Sequence, residues 1–583
     1  MEKHWFIKEQ GDAASVKLLA QKLNINNHLS NLLIQRGITD FEEAKYFFRP
    51  KLSDIHDPFL MKDMDKAVQR IENAIKDNEK ILVYGDYDVD GTTAVATVYL
   101  YLKNIYSNVD FYIPDRDTEG YGISIQGIDF AAKNNFSLVI ALDCGIKAVE
   151  KIELAKIKQI DFIICDHHRP GNKIPDAYAV LDPKREDCNY PYKELSGCGV
   201  GFKLIQAYNQ KSGKTFETVK KYLDLVVASI ASDIVPVTGE NRILAYYGLK
   251  ILNSNPRPGI EAILKYSNVI RKKTDINTEK IFNKELIIND LVFLVGPRIN
   301  AAGRIESANN SVKLLISEDI DSAERVAEQI NTLNTERRNL DTQITQQALD
   351  MISNNEKLKN SKSTVVFDPG WHKGVIGIVA SRLTETYYRP TIVLTKSNDL
   401  ITGSARSVKD FDIYDAVDAC SDLLEHFGGH KYAAGLSLKE ENLNAFLERF
   451  ENIVSETIED YMLVPEIEVD AKLNLNDINN KFYRILKQFA PFGPNNMTPV
   501  FQTNGVIDSG YARIVGNNHL KLNVVHRDIS GYPVSAIAFQ QAKYLEYIKK
   551  GIPFDICYHI EENIWNNKTT IQLNIKDIKP AVL

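Results

Sequence analysis

Lys80-Ile81-Leu82-Val83-Tyr84-Gly85-Asp86-Tyr87-Asp88-Val89-Asp90-Gly91 sets three carboxylates at alternate positions directly after a short apolar run. The run reads as a buried β-strand, and the acids fall where it ends. Like charges so close raise one another's pKa and repel unless a hard cation neutralises them, and oxygen ligands of this kind suit Mg²⁺ or Mn²⁺. A calcium EF-hand also runs Asp-x-Asp-x-Asp-Gly, but its twelfth position should be a bidentate Glu. Counted from Asp86 that position is Thr97, and the preceding segment has strand rather than helix character.

The pattern recurs. Ser137–Leu142 runs into Asp143-Cys144-Gly145, and Asp161–Cys165 runs into Asp166-His167-His168. In an open parallel sheet, ligands bind outside the carboxyl ends of the strands, so three such ends can converge on one crevice. Asp233 lies within the apolar run 222–236, where an unpaired carboxylate is costly and a metal would offset that cost. A lone Asp at a strand end is more often a helix cap, and a His pair more often surface decoration. Taken together and in this order, the four segments favour a two-metal site.

Asp166-His167-His168, following Asp88-Val89-Asp90 and Asp143, resembles the DHH phosphoesterase superfamily. The longer stretches are similar to its RecJ family of bacterial single-strand-specific 5′→3′ DNA exonucleases. They are Gly85–Gly91, Glu119–Gly122, Gly296–Arg304, Gly370–Gly377, Gly403–Ser407 and Gly428–His430, in order and over most of the chain. One departure stands out. Many DHH phosphoesterases place a metal-binding His four residues before the Asp-x-Asp pair, where this chain has Tyr84, and Asp86 is the substitute that the resemblance suggests.

The resemblance implies two divalent ions, Mn²⁺ or Mg²⁺, with Asp143 bridging them, Asp86 and Asp88 on one, and Asp90, His167 and Asp233 on the other. Asp166 is then an acceptor that fixes an imidazole tautomer, and His168 contacts the phosphate or leaving group. Arg116, Ser404 and Arg406 are implied to hold a 5′ phosphate and Tyr121 to stack on a base, with Arg298, Arg304 and His430 also on the substrate path. A guanidinium fork pairs bidentately with phosphate. Surface ion pairs are the plain alternative for Arg298 or Arg406 taken alone. The implied activity is hydrolysis of single-stranded DNA to mononucleotides in DNA repair and recombination. The implied partners are single-stranded DNA, a single-strand binding protein and a RecQ-type helicase, with the chain acting as a monomer.

At 583 residues the chain is too long for one core. Residues 1–77 read as a polar helical segment. Residues 78–317 alternate strands and helices, as a parallel α/β sheet does, and form the DHH domain. From about Glu318 to Ile352 one helical pattern runs without Pro or Gly. It is a connecting rod of roughly 50 Å, and a linker carries it to residue 363. Residues 364–460 read as a smaller α/β domain of the DHHA1 type, and 461–583 as an all-β tail fitting an OB-like barrel.

Apolar residues make up 44% and charged residues 25%, as in ordinary soluble proteins. No secretory or membrane-spanning run is seen, so the expected setting is the cytoplasm and the six cysteines are read as reduced thiols. A net charge of −7 argues against a general nucleic-acid coat but leaves room for one basic channel. Trp371 and His372 read more readily as turn packing than as base contacts. Arg271-Lys272-Lys273 reads as a solvated face, and Arg513, His519, Lys521 and Arg527 could line a strand-binding face, although four scattered basic residues on a barrel are usually just solvated. Two other functions compete: a DHH hydrolase of oligoribonucleotides, cyclic dinucleotides or pyrophosphate, and a non-catalytic DNA-binding scaffold. The first has no use for the long helix and tail, and the second would show gaps in the ligand set that this chain lacks.

Overall fold

The computed structural model describes residues 2–116, 118–272, 280–305, 308–526, 532–565 and 568–581. The stretch that opens the motif is a strand, Lys80–Gly85, inside a five-stranded all-parallel sheet. The order across it is Val109–Tyr112, Lys80–Gly85, Phe136–Leu142, Asp161–Cys165, Ala179–Leu181. The strands are buried on both faces, as a sheet covered by crossover helices must be. Their alternate residues feed two cores. Ile81, Val83, Leu138 and Ile140 join one, and Leu82, Tyr84, Val139 and Ala141 join the other.

Three of the strand ends lead to helices whose starts are fixed by a side-chain cap. Asp88 caps Val89–Lys103 by accepting from the Gly91 N–H, Ser124 caps Ile125–Lys133, and Ser196 caps Gly197–Lys211. The crevice above the sheet is therefore ringed by helix N-termini and strand carboxyl ends.

The rod is one 34-residue helix, Ile320–Ser353, capped by Asp319. It does more than connect. Ala323, Ala327, Ile330 and Leu333 sit in the core of the parallel-sheet domain, whereas Ile344, Ala348 and Ile352 pack with Val366, Trp371 and Val379 of the next domain. That domain holds a mixed sheet in the order His426–His430, Ala433–Leu438, Leu400–Arg406, Thr391–Ser397, Thr364–Phe367, of which only the last two strands are parallel.

The tail is a seven-stranded sheet in the order Ala471–Lys472, Phe501–Asp508, Phe554–Trp565, Lys568–Pro580, Val534–Ala538, His519–His526, Arg513–Val515. It is the all-β tail expected of an OB-like fold, curled back on itself without forming a closed barrel. The pairing that folds it back on itself runs only from Val506–Asp508 to Val524–His526. None of the described helices is long and apolar enough to cross a membrane.

The leading segment is not independent. His4–Ile7 is a strand that pairs in parallel with Glu466–Val469, and Leu19, Leu29, Leu32 and Leu33 share a core with the tail's Phe489, Phe501 and Leu520. Such long-range pairings leave no local periodicity to read.

Arg242, on the helix Gly239–Ser254, welds three regions. It is buried, lies 3.9 Å over the Phe47 ring, and donates to the carbonyls of Phe47, Gln488, Phe489, Ala490 and Pro491. Replacing it with Met leaves the Phe47, Gln488 and Ala490 carbonyls facing an apolar group, while those of Phe489 and Pro491 keep Asn496 Nδ2 as a donor. Arg242→Met is expected to cost about 3 kcal/mol or more, by analogy with breaking other buried charge networks, and to lower the melting temperature by several degrees. An unchanged melting temperature would show that those carbonyls find other donors.

Candidate metal centre and phosphate cleft

Asp86, Asp90, Asp143, Asp166 and His167 are all buried at the sheet's carboxyl edge. His167 Nδ1 lies 3.0 Å from the Leu195 carbonyl, which makes it the protonated nitrogen and leaves a lone pair on Nε2. That Nε2 sits 3.2 Å from Asp143 Oδ1, 3.6 Å from Asp233 Oδ2 and 3.7 Å from Asp90 Oδ2, with no hydrogen-bond partner. Asp86 Oδ2 and Asp143 Oδ1 are likewise buried without partners. Orphaned buried acceptors that converge are costly by themselves and fit a cation. Among the described residues two ligand-capable groupings fall within metal-binding reach, Asp143 with His167 and His168, and Asp90 with His167 and Asp233.

The surroundings hold these groups rigidly. Asp90 accepts from the N–H groups of Gly197 and Cys198 and from Ser229 Oγ, each at 2.7 Å. Asp143 has φ +60°, a left-handed conformation unusual for a non-glycine residue. Asp166 is the best satisfied. It accepts from the backbone N–H of Ile146, His167 and His168 and from His168 Nδ1 at 2.8 Å. This is the geometry of an orienting acceptor. His168 in turn meets the Tyr121 hydroxyl at 3.2 Å, and that hydroxyl also donates to the Asp143 carbonyl. Tyr84 stands apart from the acids, its hydroxyl donating to the Gly122 carbonyl, while the Gly122 N–H donates to Asp86.

Electrostatics follow the packing. Burial, then the Asp88 charge, pushes Asp86 up to about 8. Burial, then Asp90, brings Asp88 to about 6, and burial with Asp90 and Asp88 brings Asp233 to about 8. Asp143 rises well above the usual range for the same reasons. Burial would raise Asp166 too, but the hydrogen bond and charge of His168 outweigh it and hold it at about 2.

In the metal-free protein these raised carboxyls bind protons at a pH where the unfolded chain has lost them. Stability should therefore fall as pH rises from about 4 to 8. A cation keeps them ionised and reverses that trend. The melting temperature gap between Mn²⁺-loaded and EDTA-treated protein is expected to widen steadily from pH 5 to pH 8. The lowered Asp166 loses its contribution only below about pH 4, outside this window. A gap independent of pH would rule out the cluster as the ion's seat.

Beside the acids lies a cationic cluster. Arg304 is pushed down to about 10 by burial and by the charges of Arg116, Arg337 and Arg406, so four guanidiniums crowd one place. Arg116 stacks 5.4 Å from the Tyr87 ring, and Arg304 Nη1 donates to the Gly374 carbonyl. Arg406 donates to Ser404 Oγ, and a methyl group at Gly377, on the first turn of Ile376–Tyr387, would stand 3.0 Å from that Oγ and 3.1 Å from Arg406 Nη2. Arginines at a helix start with a close glycine approach form an anion seat. Tyr121 keeps a half-exposed ring at the cleft.

Two of the expected substrate residues are not part of this cluster. Arg298 is buried and donates to Asn331, to the Leu294 carbonyl and to the Tyr266 carbonyl, which ties its helix to the long one. His430 is exposed on the edge strand, with Nδ1 accepting from the Tyr432 N–H.

Arg337 was invisible in the sequence because the long helix reads as a rod. Its signal is a charge on the apolar stripe between Leu333 and Leu340. Asp182, buried at the end of the fifth strand with Oδ2 unpartnered, was also missed. On the tail, Arg513 lies directly opposite Lys521, Tyr511 stacks 4.7 Å from Arg513, and His519 packs on Phe539. Like charges opposed across strands suit an anionic ligand. Arg527 and Lys273 lie outside the described residues, and Arg271 pairs with Glu261.

The DHH family, N-terminal domain, matches residues 80–230, the DHHA1 domain residues 360–456, and the RecJ OB domain residues 469–577. The single-stranded-DNA-specific exonuclease RecJ of Bacillus subtilis is 37% identical over 98% of this chain and 70% of its own length. That of Escherichia coli is 32% identical over 95% of this chain and 96% of its own. The crystal structure of RecJ from Thermus thermophilus in complex with Mn²⁺ matches with a TM-score of 0.83 at 25% identity, over 100% of this chain and 80% of that one.

Proposed function

Since the chain belongs to the RecJ family of DHH proteins, we propose that it is a metal-dependent exonuclease that degrades single-stranded DNA from the 5′ end to mononucleotides. The observation that carries this reading is the convergence of orphaned His167 Nε2 and Asp143 Oδ1 beside a cluster of four arginines. One end of the cleft suits divalent cations and the other a terminal phosphate.

Asp86 and Asp88 with Asp143 would hold one ion, and Asp90, His167 and Asp233 with Asp143 the other. The imidazole favours Mn²⁺ and the oxygens accept Mg²⁺ as well. Two such ions, when bound, neutralise the phosphoryl oxygens and make water a competent nucleophile at neutral pH. The protein's own groups do the rest. Arg116, Arg304 and Arg406 orient the strand by its phosphates. Asp166 holds His168 with Nδ1 protonated, and His168, raised because that hydrogen bond outweighs its burial, is placed to give a proton to the departing 3′ oxygen. Tyr121 positions His168 through its hydroxyl and offers its ring to a base. A tail with paired basic and aromatic side chains supports a polymer substrate. A single-strand binding protein and a RecQ-type helicase are the protein partners we expect. A monomer is the form we expect in solution, and six buried free thiols suit the cytoplasm.

The direct test incubates 5′-labelled single strand, its duplex and a 3′-labelled copy with Mn²⁺, Mg²⁺ or EDTA. Label should leave the 5′ end of the single strand first, with the duplex and EDTA samples intact. Release from the 3′ end, or activity in EDTA, would overturn the reading. A 5′-phosphorylated strand is also expected to be degraded at least about tenfold faster than its 5′-hydroxyl copy, ~1.4 kcal/mol, with Arg406→Ala erasing most of the difference. Equal rates on the two strands would remove the terminal-phosphate seat.

A further inference from the structure

Between the second half of the long helix and the turn after Thr364–Phe367 lies a chamber of about 790 Å³. Gln343 and Gln347, one helical turn apart, form one wall, Trp371 and His372 another, and Thr118 of the catalytic domain reaches it. Trp371 Nε1 donates to Gln347 Oε1 at 2.9 Å, which fixes the donor end of that amide. Leu340 and Ile344, also in the lining, share a helix stripe with Arg337 one turn earlier. Arg337 Nε is buried without a hydrogen-bond partner. Gly374 lines the chamber and its carbonyl accepts from Arg304, so the cationic cluster borders the chamber at that backbone.

We propose that this chamber binds one nucleoside 5′-monophosphate, the product of each cleavage, with its phosphate at the Lys373–Gly374 end that borders Arg304 and its base between the Gln343 and Gln347 amides beside Trp371, and that product leaves by this route. The inference rests on the exonuclease reading, since only that activity releases one mononucleotide per step. Chemistry separates a mononucleotide from a strand here. A polymer needs a cation for each phosphate, whereas among the side chains lining the chamber only Lys373 and His372 are basic, and they share it with the acid Asp368 and the amides of Gln343, Gln347 and Asn398. Amides read base edges and an aromatic ring offers a face. The volume lies within the range of ordinary small-ligand pockets.

Gln343 is exposed on its helix and belongs to neither the metal cluster nor the arginine cluster. In Mn²⁺-loaded full-length protein, thymidine 5′-monophosphate is expected to raise the melting temperature and to inhibit digestion of a 5′-phosphorylated single strand. Gln343→Trp, which crowds the proposed base seat, should weaken both effects at least fivefold in nucleotide concentration while the first-turnover rate stays that of the parent protein. Gln343→Leu, which keeps the size and removes the amide, should shift both in the same direction and covers the case of a Trp variant that does not fold. Unshifted nucleotide binding in both variants, no binding by the parent protein, or an equal fall in the first turnover would overturn the proposal. Thermal shift needs no activity, so a parent protein that binds the nucleotide and leaves DNA intact would fail the exonuclease reading and not the chamber.

Discussion

Asp143→Ala is expected to lower the rate of single-strand hydrolysis at least about a thousandfold, ~4 kcal/mol of transition-state stabilisation, with the fold intact. Its Oδ1 stands 3.2 Å from Nε2 of His167, the residue common to both groupings of ligand-capable side chains, so under the proposed two-ion arrangement its loss would loosen both. The same crowding predicts the effect on stability. Asp143 is buried and repelled by Asp90, Asp88, Asp233 and Asp166, so without metal the alanine variant should melt no lower than the parent. It should also gain less on adding Mn²⁺. Asp166→Ala should be milder, with excess Mn²⁺ restoring part of its activity, since Asp166 acts by holding His168. More than about a tenth of the parent rate in Asp143→Ala, under ~1.4 kcal/mol, would move the bridging role elsewhere.

How much of this could be read beforehand depended on range along the chain. The parallel sheet was legible because Lys80–Gly85 and Phe136–Leu142 are continuous apolar runs, and their carboxyl ends announced Asp86, Asp143 and Asp166. The long helix was legible from its seam alone, to within two residues at each end. What stayed hidden was set by contacts between distant segments. The strand His4–Ile7 gains its partner only at Glu466–Val469, and nothing in four residues foretells that register. Four of the seven tail strands, His519–His526, Val534–Ala538, Phe554–Trp565 and Lys568–Pro580, were recognisable one by one. The extent of the tail's closure depends on a three-residue pairing at Val506–Asp508 that local alternation does not encode. Arg298 shows the opposite failure. It lies in a stretch resembling a functional one, yet its donors go to Asn331, Leu294 and Tyr266, because a guanidinium serves equally well as a carbonyl clamp between helices.

Gly197→Ala is expected to lower kcat/KM at least about a hundredfold, ~2.7 kcal/mol, although it adds one methyl group and removes no functional atom. Gly197 opens the helix Gly197–Lys211, and its N–H donates to Asp90 Oδ2 at 2.7 Å. A methyl there would stand 2.5 Å from Asp143 Oδ1 and 2.6 Å from Asp143 Cβ, closer than real contacts allow. Either the helix start withdraws from Asp90, or Asp143, already at φ +60°, is displaced from His167. Both routes disturb the donor set, so a higher Mn²⁺ concentration should be needed for half-maximal rate. Gly199→Ala is the internal control. Its methyl would meet Ser196 Oγ at 3.3 Å and Leu195 at 3.5 Å, in the same helical turn and with nothing nearer. It should stay within about threefold of the parent rate, ~0.7 kcal/mol. Equal losses in the two variants would trace the effect to the helix start as a whole, and equal retention would mean that the Asp143 carboxylate has room to move without leaving its post.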